Sequence, residues 1–368
     1  MDRLKDLHDE YGQSPWLDNL TRGYLTSGAL DEFIARGVRG MTSNPTIFAK
    51  AIAAGTDYDD QFRDLASDEH PIIDDYWELV LDDINGACDA FAALYESSDG
   101  GDGFVSVEVD PGLARDAGGT EEAARGLHQR LGRPNVMVKI PATEEGLGPV
   151  QAMIAEGRNI NITLIFSLAR HQAVMEAYVA GLEQYVAAGA EDLSRVASVA
   201  SFFVSRVDTE VDRRLTEIGT SEALALRGKA AIAQAKLAYR QFTTMFSGPR
   251  WEALVAKGAR VQRPLWASTS TKNPDYPDTV YVDNLIGPHT VDTLPEPTLE
   301  AFDEHGTLAR TVDLDVDEAQ GTWAALEHVG VDMDDVAVRI ETEGIDSFAK
   351  SFDELIDTLT TKAAELTQ

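Results

Sequence analysis

Pro134-Asn-Val-Met-Val-Lys-Ile-Pro-Ala-Thr143 is a short apolar run with one lysine near its end. Val136, Met137, Val138 and Ile140 favour a buried strand, and Pro141 stops it. Lys139 therefore falls at the carboxyl end of a strand, among apolar neighbours, where a lysine is least expected. An ammonium buried without a partner is costly. Such a lysine reaches past the strand end to solvent, finds a partner, or gives up its proton. Apolar surroundings can lower a lysine pKa from ~10.4 toward neutrality, and the neutral amine can attack a carbonyl to form a Schiff base.

Runs of the same kind recur on both sides. Upstream, Gly103-Phe-Val-Ser-Val-Glu-Val-Asp-Pro111 alternates, with Val105, Val107 and Val109 on one face and Ser106, Glu108 and Asp110 on the other. Downstream, Asn159-Ile-Asn-Ile-Thr-Leu-Ile-Phe-Ser167 sets Ile160, Ile162 and Leu164 against Asn159, Asn161 and Thr163. Further out lie Ser14–Leu20, Gly40–Pro45, Val196–Arg206, Gln262–Ser270 and Thr279–Gly287. Helical patterns separate them, among them Thr26–Arg36, Ile72–Tyr95, Thr120–Leu131, Glu144–Ala155 and Leu168–Val186. Eight strand runs alternating with helices predict an α/β chain folded as a (β/α)8 TIM barrel, one domain over residues 1–368. A doubly wound open sheet is the competing arrangement. Its strands, covered on both faces, would read as more continuously apolar, and no Gly-x-Gly-x-x-Gly follows the first run. From about residue 295 the chain is an acidic helical extension. Its final helix, Gly344–Leu366, places Phe348, Phe352, Leu355, Ile356 and Leu359 at helical spacing.

The formal net charge is −32, from 31 Lys+Arg against 63 Asp+Glu. That balance opposes binding to nucleic acid or to an anionic membrane surface. A phosphate ligand would need basic groups concentrated locally against this field. No apolar run approaches ~18 residues and the start shows no secretory h-region, so a cytoplasmic location is expected. Cys88 is the only cysteine and reads as a small core residue of a helix. The seven histidines (His8, His70, His128, His171, His289, His305, His328) show no metal-ligand spacing, and neither a metal nor another cofactor is expected. No heptad seam or extended exposed apolar run marks an oligomer interface.

In a parallel barrel the carboxyl ends of the strands converge on one mouth. The polar residues at or near these ends are Asp18, Thr42, Asn44, Glu108, Lys139, Asn161, Thr163, Ser201, Arg206 and Ser268, with Lys272 just beyond. Several have structural alternatives: Asp18 as a helix cap, Asn44 before Pro45 as a turn, Arg206 paired with Asp208 or Glu210. Together they form a chemistry. A Lys139 iminium acts as an electron sink for carbon–carbon bond cleavage, and Asp18 and Glu108 are the acid/base candidates. Thr163 helps Glu108 hold a water. Asn44 and Asn161 bind hydroxyls of a polyol, and Arg206 offers a planar fork to a phosphate, joined by Ser268 and Lys272.

Thr42-Ser-Asn-Pro45, Val107-Glu-Val-Asp110, Val138-Lys-Ile-Pro141, Asn159–Ser167 and Ser201-Phe-Phe-Val-Ser-Arg206 resemble, in order, the motifs of the transaldolases. The resemblance runs from about Trp16 to Gly287. It implies that Lys139 is the Schiff-base lysine and that Asp18, Glu108 and Thr163 serve catalysis. Asn44, Asn161, Ser201 and Thr42 fall in substrate-binding positions, and Arg206 in the phosphate-binding one. The implied reaction moves a dihydroxyacetone unit from sedoheptulose 7-phosphate to glyceraldehyde 3-phosphate, giving erythrose 4-phosphate and fructose 6-phosphate, in the non-oxidative pentose phosphate pathway. Small sugar phosphates are the implied partners. The sequence departs from the pattern after the seventh run, where many relatives carry a second arginine and Lys272 is the nearest cation here. Two other readings are compatible with the motifs: a fructose-6-phosphate aldolase-type lyase that releases free dihydroxyacetone, and a non-catalytic sugar-phosphate-binding barrel.

Overall fold

The computed structural model describes residues 2–65 and 71–366. Eight parallel strands close into a barrel in chain order. They are β1 (Gln13–Asp18), β2 (Gly40–Thr42), β3 (Phe104–Glu108), β4 (Val136–Pro141), β5 (Ile160–Ile165), β6 (Ser198–Phe203), β7 (Arg263–Ala267) and β8 (Thr290–Leu294). The opening run is β4, so Lys139 sits two residues before the strand's carboxyl end. Register sets Glu108 beside Lys139 and Lys139 beside Asn161. Three polar side chains on three successive strands thus share one level of the barrel.

Alternation carries through the barrel wall. Ser14 and Asp18 line cavities at opposite ends, and Trp16 lies between them on the same face of β1. Trp16 is fully buried. A Cβ on Gly40 would fall 2.5 Å from the Trp16 ring, so β2 must present a glycine there. An aromatic of this size contributes about 4–6 kcal/mol of transfer free energy as an upper bound. Cys88 is buried in the helix Ile72–Ser97, as its apolar surroundings predict.

The eighth strand is not where strand propensity puts it. Val280–Asn284, inside the expected run Thr279–Gly287, is a short helix, and the strand is Thr290–Leu294. Val280, Tyr281 and Val282 have strand-forming side chains, but tertiary anchoring overrides them. Tyr281 donates its hydroxyl to Asp208 at 3.0 Å, and Val282 and Leu285 are buried. The true β8 lies between Pro288 and Pro295 and pairs with β1 from Gln13↔Thr290 to Leu17↔Leu294. The expected helix Thr26–Arg36 is likewise two helices, Arg22–Ser27 and Ala29–Arg36, parted by Gly28 at φ 83°. Arg206 lies past β6, in the helix Ser205–Ile218.

Asp292 on β8 is completely buried. Its Oδ1 accepts from the Thr269 hydroxyl at 3.0 Å, and its Oδ2 has no hydrogen-bond partner among the described residues. Burial pushes this carboxyl well above its ordinary 3.8. The folded chain then holds a proton that the unfolded chain releases, so stability falls as pH rises above about 4. Asp292→Asn stays neutral and is expected to stabilise the fold at pH 7 by about 1–3 kcal/mol, with the gain shrinking toward pH 4. Calorimetric scans across that range check it; a gain that does not grow with pH overturns the assignment.

The acidic extension is helical: Glu296–His305, Val316–His328 and the 34-residue helix Met333–Leu366. The last of these packs on the helices Pro45–Ala54, Ile72–Ser97 and Ser205–Ile218 and on β5, across the carboxyl end of the barrel. Phe352 meets Tyr76 edge-on at 5.3 Å, and Lys362 pairs with Asp59 and donates to the carbonyls of Ile52 and Gly55. Among the described residues no helix is long and apolar enough to cross a membrane.

Candidate active site

A cavity of about 150 Å³ opens at the carboxyl ends of the strands. Asp18, Thr42, Asn44, Lys139, Thr163, Ser201, Arg206, Ser268 and Lys272 all line it. Two other expected site residues, Glu108 and Asn161, lie behind this wall.

Lys139 is buried, and its Nζ has two partners. It donates to the Ser43 carbonyl at 3.2 Å and lies 3.2 Å from Glu108 Oε2, an ion-pair distance whose angles fall short of a hydrogen bond. Burial pushes the Glu108 carboxyl up; the Lys139 charge pulls it down and Asp18 adds to the rise. Asp18 ends β1. Burial raises its carboxyl too, against the lowering pull of Lys139 and Lys272. Two carboxyls with raised affinity for protons therefore flank one amine, which is the arrangement acid/base work requires.

Hydroxyls finish the floor. Thr42 Oγ1 and Thr163 Oγ1 are buried without a hydrogen-bond partner among the described residues. Thr163 precedes Leu164, which adopts φ 60° where β5 and β6 shift register. Asn161 is committed to its neighbours: its Oδ1 accepts from Ser201 at 2.7 Å and its Nδ2 donates to Ser106 at 3.0 Å. It positions Ser201 more directly than it could reach a ligand. Asn44, expected either in a turn or facing a ligand, is a helix N-cap whose side chain also faces the cavity. It caps the helix Pro45–Ala54 by accepting from Ile47 N at 3.0 Å.

The cationic side is built by the helix after β6 and the loop after β7. Arg206 stacks between two rings, with its guanidinium carbon 5.4 Å from the Phe203 centroid and 5.8 Å from that of Phe348. It forms no ion pair within 4 Å among the described residues. Asp208 instead accepts from Ala231 N and Tyr281, and Glu210 pairs with Arg213 and Arg214. Burial lowers the Arg206 pKa, with Glu343 opposing. Gly344 lets the terminal helix approach: a Cβ there would come within 3.2 Å of Arg206 Nη1. Ser268 adopts φ 57° at the end of β7 and shares a 2.9 Å hydrogen bond with Ser205. Lys272 donates to Ser270 at 2.5 Å, and burial and Arg206 lower its pKa.

Sequence reasoning missed Ser43, Ser106, Phe203 and Phe348 as parts of this site. Ser106 and Phe203 have the same parity as Glu108 and Ser201, which is a usable signal. Phe348 reads only as a core position of an amphipathic helix. Among the described residues no group of three or more His, Cys, Asp or Glu side chains could hold a metal ion. His128 and His171 are buried, and burial takes each pKa down to about 4; His70 lies outside the described residues.

The family model of the transaldolases and fructose-6-phosphate aldolases matches residues 15–359. A transaldolase of Thermobifida fusca is 53% identical over 356 residues, 96% of each chain. One of a Parafrankia species is 51% identical over 350 residues, 95% of each chain, and one of Mycolicibacterium smegmatis 50% over 348, 94% of each. The motifs that build the cavity floor and its cationic wall thus lie within a match that spans nearly the whole chain, and the chain belongs to the transaldolase/fructose-6-phosphate aldolase family.

Proposed function

We propose that this chain is a transaldolase that works through a Schiff base on Lys139. The observation that carries the mechanism is the buried amine held 3.2 Å from Glu108 at the floor of a cavity that Asp18 also lines. Glu108, its carboxyl pushed up by burial, takes a proton from Lys139 and leaves a neutral amine. The amine attacks the ketone of a ketose phosphate such as sedoheptulose 7-phosphate. Glu108, with a water held by Thr163, returns the proton to the carbinolamine hydroxyl, which departs as water and leaves the iminium. Asp18 then takes the proton of the C4 hydroxyl; the C3–C4 bond breaks, its electron pair passes into the iminium, and an aldose phosphate leaves. The bound enamine attacks the aldehyde carbon of glyceraldehyde 3-phosphate, Asp18 protonates the new alkoxide, and hydrolysis frees fructose 6-phosphate. The iminium supplies the electron sink, so this route calls for no metal or other cofactor. The setting is the non-oxidative pentose phosphate pathway, in the cytoplasm.

Borohydride reduction in the presence of fructose 6-phosphate, followed by peptide mass mapping, tests the covalent step. The adduct is expected on Lys139; no adduct, or one on Lys272, overturns the mechanism. Assays with and without an acceptor aldehyde distinguish transfer from release of free dihydroxyacetone, and dominant release would sink the transferase assignment.

Arg206 is the phosphate fork, with Lys272 and Ser268 beside it. Loss of a charge-assisted contact of this kind costs about 1.5–3 kcal/mol, or roughly 10–150-fold. Arg206→Ala is therefore expected to raise KM for phosphorylated substrates by that factor with a smaller change in kcat. Steady-state kinetics decide it; an unchanged KM returns Arg206 to a structural role between its two rings.

A further inference from the structure

A second cavity, of about 690 Å³, lies at the amino-terminal end of the barrel and shares no lining residue with the first. Its wall carries Arg39 just before β2, Asp102 before β3, and Arg260 and Arg263 at the start of β7. Asp102 is buried and fully engaged. It accepts from Arg39 Nε at 2.6 Å and from both terminal nitrogens of Arg263 at 3.1 Å. Burial pushes its carboxyl up, but the two guanidiniums outweigh this and hold it below the usual range. Arg260 donates to the Ser194 carbonyl at 2.7 Å and to the Asp99 carbonyl at 2.5 Å. Arg260 and Arg195 lie 3.4 and 3.6 Å from the exposed Asp99 carboxylate.

The charges do not balance. Arg39 and Arg263 share the one carboxylate of Asp102, which leaves a surplus of one positive charge on this wall, whereas Arg195 and Arg260 are offset by Asp99 and Asp192. Donor edges also remain. Both Nη groups of Arg39, Nη1 of Arg260 and Nε of Arg263 make no hydrogen bond among the described residues. In a chain of net charge −32, structural pairing alone gives no reason to gather guanidiniums beyond what their partners need. Arginine forks match the oxygens of a phosphate, and a concave wall makes their field stronger than on an open surface.

We propose that this amino-terminal cavity binds a small phosphate-bearing metabolite, with its phosphate held by Arg39, Arg260 and Arg263 at the end of the barrel opposite Lys139. The volume leaves room for the rest of such a molecule. Ser14 accepts from Arg263 at 2.9 Å and so fixes the fork from β1.

Calorimetric titration with inorganic phosphate at low ionic strength tests the site, using the chain with Arg206→Ala and Lys272→Met so that the mouth cavity contributes nothing. One phosphate per chain is expected. Adding Arg39→Gln and Arg260→Gln should weaken it at least about tenfold. Ser97→Asp, an exposed change in the same wall that breaks no Asp102 contact, should weaken it in the same direction and serves if the arginine variant does not fold by circular dichroism. Absence of phosphate binding in the mouth-disabled chain, or unchanged affinity in the wall variants, overturns the proposal. The readout is equilibrium binding without turnover, so neither result bears on the transaldolase reading.

Discussion

Lys139→Ala is expected to lower dihydroxyacetone transfer by about four orders of magnitude or more, and to remove the borohydride adduct altogether. No other amine can substitute. Lys272, the other lysine of the mouth, lies in the loop after β7 beside Arg206, not on the floor with Glu108. The fold should survive the change. Breaking a buried ion pair ordinarily costs about 3–5 kcal/mol, because a charge is left behind. Here Glu108 can shed that charge, since burial already favours its protonated form. Lys139→Met keeps most of the side-chain volume and separates a packing defect from a chemical one. Single-turnover product formation, with calorimetry on both variants, is the measurement. Residual transfer that still traps a covalent intermediate would move the Schiff base elsewhere.

How much of this was legible in the sequence depended on what two-residue alternation can carry. Parity on β3, β4 and β5 puts Glu108, Lys139, Asn161 and Thr163 on the inner face. The register Glu108↔Lys139↔Asn161 places the first three level with one another. Parity carries no depth, however. Lys139 and Thr163 reach the cavity, whereas Asn161 is spent on Ser106 and Ser201. Likewise nothing in Asn44-Pro45 says that one side chain will both cap a helix and line the site. Lys139 and its level neighbour Asn161 differ in side-chain length and in the partners each finds, and alternation encodes neither.

The larger misses have the same cause. Val280-Tyr-Val looks like a strand because β-branched and aromatic side chains favour one, but Tyr281 finds its partner on Asp208, far away in the chain. Thr290–Leu294 is a strand because β1 and β7 flank it. The terminal helix shows an apolar stripe in the sequence, yet the stripe does not name its receptor. Only the close approach at Gly344 and the stacking of Phe348 on Arg206 reveal that the acidic extension completes the cationic side of the mouth.

Asp18→Asn separates the two halves of the reaction. Asparagine keeps the shape and a hydrogen-bonding oxygen but accepts no proton at catalytic pH. In the proposed mechanism attack by Lys139 and loss of water depend on Glu108, so iminium formation should continue. Cleavage of the C3–C4 bond needs a base for the C4 hydroxyl, and losing that base should slow the step by about 10²–10⁴-fold. The uncleaved iminium then accumulates. Borohydride trapping with fructose 6-phosphate should shift accordingly: the parent chain carries a three-carbon adduct on Lys139, and the variant carries the whole hexose phosphate. Mass spectrometry distinguishes the two directly, without relying on a steady-state rate. Burial raises the Asp18 carboxyl and Lys139 and Lys272 pull it down. Iminium formation keeps a positive charge at Lys139, which holds Asp18 ionised while it acts as the base; the neutral enamine that follows lets Asp18 keep the proton for the acceptor alkoxide. A three-carbon adduct forming at the parent rate in Asp18→Asn would remove Asp18 from this role and leave the proton to a water at the mouth.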